Sequence, residues 1–414
     1  MIRSAAVIGL GYVGLPTAAI FAEAGLDIIG VDTNPEAVAS INAGRPHIIE
    51  PNLEALLRRV VEAGKLRAVM APEQADVYVI AVPTPFKEGN KPDLKYIEAA
   101  AHAIAPVLAK GALVILESTS PVGATEQLSE WLAKDRPDLS FPQNAGDLAD
   151  VQVAHCPERV LPGKVLHEVV HNSRVIGGMT RHCATRAVSF YRHAVQGECH
   201  VTDARTAELA KLAENAFRDV NIAFANELST ICHDLDIDPW ELIEMSNKHP
   251  RVNILNPGPG VGGHCIAVDP WFIVNSAPSR AQLIHKARDV NDAKPAWVVD
   301  RIAEKAAGLR APVIACLGLA YKPDVDDLRE SPSTEVVLEA IRRGTGDVLV
   351  AEPYVSELPA ELEGAEHADF EDAIRRADIV VVLTGHSAFR SVRISDLDGK
   401  ALIDTCGLFR AKTT

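Results

Sequence analysis

No apolar run in this 414-residue chain approaches the ~20 residues that a membrane-spanning helix needs, so none is expected. The amino terminus, MIRSAAVIGLGYVG, carries no cleavable signal pattern and runs straight towards a strand and a glycine loop; the expected location is the cytoplasm. An excess of positive charge is also missing, with 41 Lys and Arg against 56 Asp and Glu and a net charge of −15. That argues against a polyanion-binding surface, and so against nucleic acid as a partner, while leaving room for one small anion in a local basic pocket. The seven cysteines are scattered and odd in number, which speaks against a disulfide framework and for reduced thiols. Five of them, Cys156, Cys183, Cys199, Cys232 and Cys265, have a histidine neighbour. Neighbours in sequence point to different sides of a strand or helix, and no CxxC spacing occurs, so no metal site is expected from them.

What is present has the proportions of a globular protein: 47% apolar and 23% charged residues. The length calls for two or three domains. Over the first ~115 residues, strand-like runs (AAVIGL, DIIGVD, VYVIAVP, ALVILES) alternate with helical stretches at 35–43, 52–63 and 94–108. Such alternation predicts a parallel sheet with helices on both faces. Residues 203–234 form an alanine- and leucine-rich stretch without proline or glycine, apolar on more than one face. A helix of that kind is buried within a domain or between subunits, and this one is long enough to link two lobes. After Pro312 the alternation returns as VIACLGL, DVLVAEP, DIVVVLTGH and ALIDTC, in the order of the first half. The expected fold is α/β: two Rossmann-like doubly wound domains joined by a long central helix in a helical dimerisation domain. Residues 1–200 would form the first domain, 201–300 the central one, and 301–414 the second Rossmann-like domain, which lacks the glycine fingerprint.

The glycines Gly9, Gly11 and Gly14 spell GLGYVG directly after the first strand. In a dinucleotide fingerprint the first makes the tight turn, the second lets backbone approach a pyrophosphate, and the third packs helix on strand. The helix start that follows offers amides and a positive dipole end to phosphate. The second strand ends in Asp32, whose carboxylate would accept ribose hydroxyls and repel a 2′-phosphate, so NAD is favoured over NADP. Two later strand ends, at Pro83-Thr84 and Ser118-Thr119, lie where such sheets present ligand-binding loops.

The stretch NPGPGVGGHCIAVDP, residues 256–270, is too rich in glycine and proline for regular structure. It presents Cys265 on a glycine loop with His264 adjacent and Asp269 four residues on, a better nucleophile candidate than a buried apolar cysteine. Lys211, Asn215 and Arg218 stand at i, i+4 and i+7 of the central helix and so share a face, either a solvated edge or a polar rail along a substrate. Basic groups at His249 and Arg251, and at Lys322 and Arg329, could pair with a diphosphate.

GLGYVGL, VDTN, VPTP, STSPVG, CPERVLPG, AELAKLAENAFRDVNIAFANE, GPGVGGHCIAVDPWFI and KPDVDDLRESP occur in this order across nearly the whole chain. In this the chain resembles the UDP-glucose/GDP-mannose dehydrogenase family, and within it most the branch acting on UDP-N-acetyl-D-mannosamine. The resemblance implies an NAD-dependent enzyme that oxidises the C6 alcohol of a UDP-sugar to the acid, in two hydride transfers through a thiohemiacetal and a thioester on Cys265. It implies that Lys211 and Asn215 orient water and stabilise an oxyanion, with Asp269 beside them and Thr119 and Glu158 near the catalytic water. It implies NAD contacts at Gly9, Gly11, Tyr12, Val13, Gly14, Asp32, Thr84, Thr119 and Arg329. Contacts to the nucleotide sugar would come from Arg159, Val160, Lys211, Asn215, Arg218, His249, Arg251, Gly262, Tyr321, Lys322 and Arg410. The position of Arg251 reaches into a neighbouring subunit in similar enzymes, which implies a homodimer.

Two departures separate the chain from UDP-glucose enzymes, which read roughly GGSCFPKD at the thiol loop. Here the loop reads GGHCIAVD, with Val268 in place of the lysine, and Pro162 stands where those enzymes carry a second glutamate. Both favour a 2-acetamido sugar, with UDP-N-acetylglucosamine and UDP-glucose as the competing substrates. Outside the family, a zinc alcohol dehydrogenase, a two-electron reductase and a non-catalytic NAD-sensing regulator are the rivals.

Overall fold

The computed structural model describes residues 2–410 apart from Glu88, Pro162 and His264. It divides into two compact units, residues 1–214 and 215–414.

The first unit is built on β1 (Ser4–Ile8), β2 (Asp27–Val31), β3 (Leu66–Val69), β4 (Val77–Ile80), a short hairpin of β5 (Phe86–Lys87) and β6 (Lys91–Pro92), then β7 (Leu113–Leu116), β8 (Gln152–His155), β9 (Arg174–Gly178) and β10 (Cys199–Asp203). Apart from the hairpin these join one eight-stranded sheet in the order β10-β9-β8-β7-β4-β1-β2-β3. The order reverses between β1 and β4, and ligands bind outside the carboxyl ends of strands at such a switch point. β4 and β7 are buried along their whole length, as their unbroken apolar runs require of strands covered on both faces. One cover includes α1 (Gly14–Glu23), whose Leu15, Ala18, Ala19 and Phe21 pack on Val7 and Val79. The other includes α2 (Lys95–Ile104) and α3 (Ala124–Asp135), through Ile97, Ile104, Leu128 and Leu132. β9 departs from the parallel pattern: it pairs antiparallel with β8. It is followed by α4 (Arg181–Tyr191) and by β10, which runs parallel to β9. Such reversed strands are common at the edge of a mainly parallel sheet.

The predicted central helix is present as α5 (Ala204–Asp234), 31 residues or about 46 Å, and the boundary between the two units falls inside it. Its burial is uneven. Leu212, Asn215, Asp219 and Asn226 are buried, whereas Phe217, Phe224 and Ile231, at intervals of seven, are about half exposed or more. No described helix is long and apolar enough to cross a membrane.

In the second unit α6 (Pro239–Ser246), α7 (Asp269–Ser276) and α8 (Gln282–Ala306) precede a five-stranded parallel sheet. Its strands are β11 (Val313–Leu317), β12 (Asp347–Ala351), β13 (Ala365–His367), β14 (Ile379–Val382) and β15 (Ala401–Asp404), with α9 (Pro332–Arg343) between β11 and β12. The order β13-β12-β11-β14-β15 repeats β3-β2-β1-β4-β7 of the first unit, as the matched order of sequence runs predicts. The likeness extends to a detail the runs did not show. Asp32 accepts the Leu10 amide at 3.0 Å, and Glu352, at the corresponding end of β12, accepts the amides of Leu319 and Ala320 at 2.7 and 3.0 Å.

Candidate active site

In the first unit, Gly9 has φ of +91°, and a side chain there would press on the Ala81 carbonyl at 2.7 Å. A Cβ at Gly14 would lie 1.8 Å from the carbonyl oxygen of Gly9. These two positions close the turn of the loop onto strand and helix. At Gly11 a Cβ would meet nothing within 4 Å, so that glycine leaves open space rather than tight packing. α1 starts without a side-chain cap at Val13, which leaves its first amides to a ligand or to water. Tyr12 beside it is about half exposed. The half-buried Asp32 holds the loop through the Leu10 amide and its own turn through the Asn34 amide at 2.9 Å. An open glycine, an uncapped helix start and a carboxylate at the end of β2 together fit a dinucleotide with unphosphorylated ribose.

The loops after β4 and β7 meet beside this one. The Thr84 hydroxyl donates to the Thr119 carbonyl at 2.5 Å, and the Ser118 hydroxyl donates to the Val82 carbonyl at 2.6 Å. The loop carrying Thr119 is tied onward to α5: Glu208 accepts the Gly123 amide at 2.6 Å and the Thr125 amide at 2.8 Å. Lys211 is half-buried one turn further along that helix. Glu158, beyond the end of β8, is 9% exposed and accepts from the Arg174 guanidinium at 2.6 Å and from the Arg159 amide at 2.7 Å. The Arg159 guanidinium is engaged by Glu214 at 2.6 Å. The Val160 side chain packs on the core of the unit, so a ligand contact at that position falls to its backbone.

In the second unit the thiol loop is irregular, as its composition predicts, and it is braced from two sides. The Gly258 amide donates to the buried Asn226 side chain of α5 at 2.9 Å; Asn226 in turn donates to Asn291 of α8 at 2.9 Å. Asn291 and Arg288 both donate to the buried Asp219, at 2.8 and 2.7 Å. On the other side a Cβ at Gly262 would meet the Glu330 carbonyl at 2.3 Å, and one at Gly263 the Tyr321 ring at 2.8 Å. Burial, then the nearby Asp327 and Cys265, raise the Tyr321 hydroxyl above its ordinary pKa. Lys322 lies 5.5 Å from the Tyr321 ring centre.

Cys265 is the exposed cysteine of the chain; the other six are buried or half-buried. Burial pushes Cys156 and Cys316 up to about 12, which leaves those thiols inert at neutral pH. The Cys265 carbonyl accepts the amides of Val268 and Asp269 at 3.0 and 2.9 Å, so the residue opens a turn that leads into α7. Asp269, 3% exposed, accepts from the Asn215 side chain at 2.6 Å. This brings three of the residues predicted for the thiol site into one connected piece: Cys265, Asp269 and Asn215. His264 lies outside the described residues, as does Pro162.

Of the remaining predicted contacts, Arg218, His249 and Arg251 are exposed, the last two in the turn after α6, where the Arg251 amide donates to His249 Nδ1 at 3.3 Å. Arg329 pairs side by side with Asp327 at 2.9 and 2.6 Å, and Arg410 pairs with Glu244 at 3.1 Å. The groups that sequence reasoning missed are Glu117, Arg174, Glu208, Asp219 and Asn226. Glu208, Asp219 and Asn226 lie within the long helical motif and Glu117 at the end of a strand run, but nothing in those runs marks them out; their role comes from burial. A sequence signal for metal does exist apart from the cysteine–histidine neighbours, since residues 167–171 read H-E-V-V-H, the spacing of a helix-borne zinc pair. There the exposed His167 and His171 rings stack at 4.2 Å and Glu168 accepts the Leu161 amide at 2.8 Å. Among the described residues no group of three metal-ligating side chains forms.

Comparison with known proteins places these features. Residues 3–195 match the NAD binding domain of the UDP-glucose/GDP-mannose dehydrogenase family, 205–293 its central domain and 315–411 its UDP binding domain. The NDP-N-acetyl-D-galactosaminuronic acid dehydrogenase of Ralstonia nicotianae is 58% identical over 410 residues, 99% of this chain and 97% of that protein. The UDP-N-acetyl-D-mannosamine dehydrogenase of Escherichia coli K12 is 54% identical over 413 residues, 98% of each. Among solved structures, the UDP-D-ManNAc dehydrogenase of Pyrococcus horikoshii superposes with a TM-score of 0.88 at 39% identity, over 99% of this chain and 96% of that one.

Proposed function

The chain belongs to the UDP-glucose/GDP-mannose dehydrogenase family and is an NAD-dependent nucleotide-sugar 6-dehydrogenase, and from that premise we propose that it oxidises C6 of UDP-N-acetyl-D-mannosamine to the uronic acid. The observation that carries the chemistry is the exposed Cys265 on its braced glycine loop, joined through Asp269 to Asn215. The glycine loop and Asp32 would hold NAD, which would supply the hydride acceptor for both oxidations. The Cys265 thiolate adds to the C6 aldehyde left by the first hydride transfer. Loss of a second hydride from that thiohemiacetal leaves a thioester, and water cleaves it to the acid and the free thiol. In sum, one alcohol and one water give a carboxylate as two hydrides and three protons leave. Lys211 and Asn215 hold the oxygen that becomes anionic at each addition, and one such donor is worth roughly 3–4 kcal/mol. The resemblance to the family assigns the orienting of that water to Asp269, Thr119 and Glu158.

A 2-acetamido sugar is favoured because the names of both relatives above carry one, and because Val268 replaces the lysine of the UDP-glucose loop. The 58% identity to the galactosaminuronic acid enzyme supports a second reading, in which the galacto epimer is the substrate. We further infer a homodimer, with Arg251 donated to the neighbouring site. It is supported by the exposed Phe217, Phe224 and Ile231, an apolar stripe that a partner helix would cover.

The test measures NADH release with UDP-N-acetylmannosamine, UDP-N-acetylgalactosamine, UDP-N-acetylglucosamine and UDP-glucose. The expected outcome is two NADH per acid, fastest with the manno sugar; a preference for UDP-glucose overturns the substrate reading. Cys265→Ser is expected to make aldehyde and no acid, and full acid production by that variant sinks the covalent scheme.

A further inference from the structure

Glu158 is held by its neighbour in the chain, Arg159, and by Arg174, which no sequence motif names. β9 runs antiparallel to β8 with His155 opposite Gly177, so Arg174 opens β9 at the end where β8 leads into Glu158. The reversed strand thereby brings its first residue to the carboxyl ends of the parallel strands, where the loops of the site are. Arg174 Nη1 donates to one Glu158 oxygen at 2.6 Å, and the Arg159 amide donates to the other at 2.7 Å. Both oxygens are engaged, so the carboxylate has one orientation.

The same Nη1 atom lies 3.6 Å from Glu117, which follows β7 on the neighbouring strand and accepts the Tyr191 hydroxyl of α4 at 3.1 Å. Glu117, Arg174 and Tyr191 are at most 2% exposed. Two carboxylates thus face one guanidinium with little water. An uncompensated buried anion costs several kcal/mol, so one of the two acids keeps a proton. Glu158 has the short ion pair and an amide. Glu117 has the long contact, with the hydroxyls of Tyr191 and Thr17 as its other polar neighbours. Burial first, then the charge of Glu158, push Glu117 up to about 8 against the pull of Arg174. The other titratable groups facing the cluster are neutral there: burial pushes Cys156 up to about 12 and Tyr191 well above its ordinary value. The Arg159 guanidinium is taken by Glu214.

We propose that Arg174 is the positioning residue that fixes the Glu158 carboxylate, and that Glu117 gates it: neutral Glu117 leaves the guanidinium to Glu158, and ionised Glu117 draws it away. The inference rests on the reading of Glu158 as the group beside the catalytic water.

The experiment compares pH profiles of kcat and KM for the whole enzyme, Arg174→Met, Arg174→Lys and Glu117→Gln, with NAD titration and thermal melting as controls of folding. Arg174→Met is expected to lower kcat about 100-fold with KM changed less than about threefold, and Arg174→Lys to recover part of the loss. The unaltered enzyme should lose kcat as pH rises through about 8, and Glu117→Gln, which cannot ionise, should carry that fall to higher pH. An alkaline limb left in place by Glu117→Gln overturns the gate, and a normal kcat in Arg174→Met overturns the positioning role. Should Arg174→Met fail to fold, Arg174→Lys and Glu117→Gln decide: a lysine variant with unaltered kcat, or an unmoved limb, sinks the proposal. If the unaltered enzyme makes no acid from any nucleotide sugar, the reading of the reaction fails and takes this inference with it; if it makes acid and all variants share its profile, this inference alone fails.

Discussion

The side-chain amide of Asn215 donates to the Asp269 carboxylate at 2.6 Å, and the Asp269 backbone amide donates to the carbonyl of Cys265 at 2.9 Å. A residue of the long helix therefore sets the carboxylate, and the carboxylate's own residue sets the turn that carries the thiol. A hydrogen bond to a buried charge is worth about 1.5–3 kcal/mol, so Asn215→Leu, which keeps the branched shape and removes the donor, should cost roughly 10- to 100-fold in kcat. NAD affinity should stay as it is, because the cofactor loop lies in the first unit. Steady-state rates alongside NAD titration check this; equal losses in both would mean general misfolding rather than a local role.

Asp32 carries two loads, the Leu10 amide and the Asn34 amide, besides the ribose hydroxyls assigned to it. Asp32→Ser should raise the KM for NAD by about tenfold, one lost charge-assisted bond, and should let NADP turn over where it did not before. The ratio of kcat/KM for the two cofactors is the measurement. An unchanged ratio removes Asp32 from cofactor selection.

The three glycines of the cofactor loop should respond differently to a methyl group. Gly14→Ala places its Cβ against the Gly9 carbonyl and should destabilise the first unit by about 1–3 kcal/mol or more, seen as a lowered melting temperature. Gly11→Ala meets open space, so its melting temperature should hold while NAD binding weakens, since the space is where a pyrophosphate would approach. Loss of stability in Gly11→Ala would show that the gap is not a ligand cradle.

The buried Glu117 should also mark the pH dependence of stability. Its pKa rises from an ordinary 4.5 to about 8 on folding, so between those values the folded chain binds more protons than the unfolded one. Stability from this group is full below about pH 4.5 and is lost as pH rises through about 8. Denaturation midpoints of the unaltered chain and Glu117→Gln, taken from pH 5 to 9, should diverge, the glutamine variant gaining relative stability at the alkaline end. Parallel curves would place the proton elsewhere.

Much of this protein is written locally. The GLGYVG turn, the apolar runs of β1, β4, β7 and β11 and the proline-free stretch of α5 each have a short-range cause, and the repeated order of runs predicts two sheets of matching topology. Asp32 and Cys265 were legible because a strand end and a glycine loop are sequence features, and the family's ordered motifs supplied the chemistry between them. Arg174 and Glu117 were not legible. A lone arginine opening a strand and a glutamate following one carry no motif; the turning of β9 against β8 put them in one dry place. The buried Asp219, Asn226 and Asn291, which brace the thiol loop, depend in the same way on how α5 and α8 pack. Sequence by itself determined the glycine turn, the apolar runs that became strands, their repeated order and the long helix, because backbone geometry and side-chain chemistry act over a few residues. Only the tertiary structure decided which charges lose water and share partners, because desolvation depends on what the rest of the chain places around them.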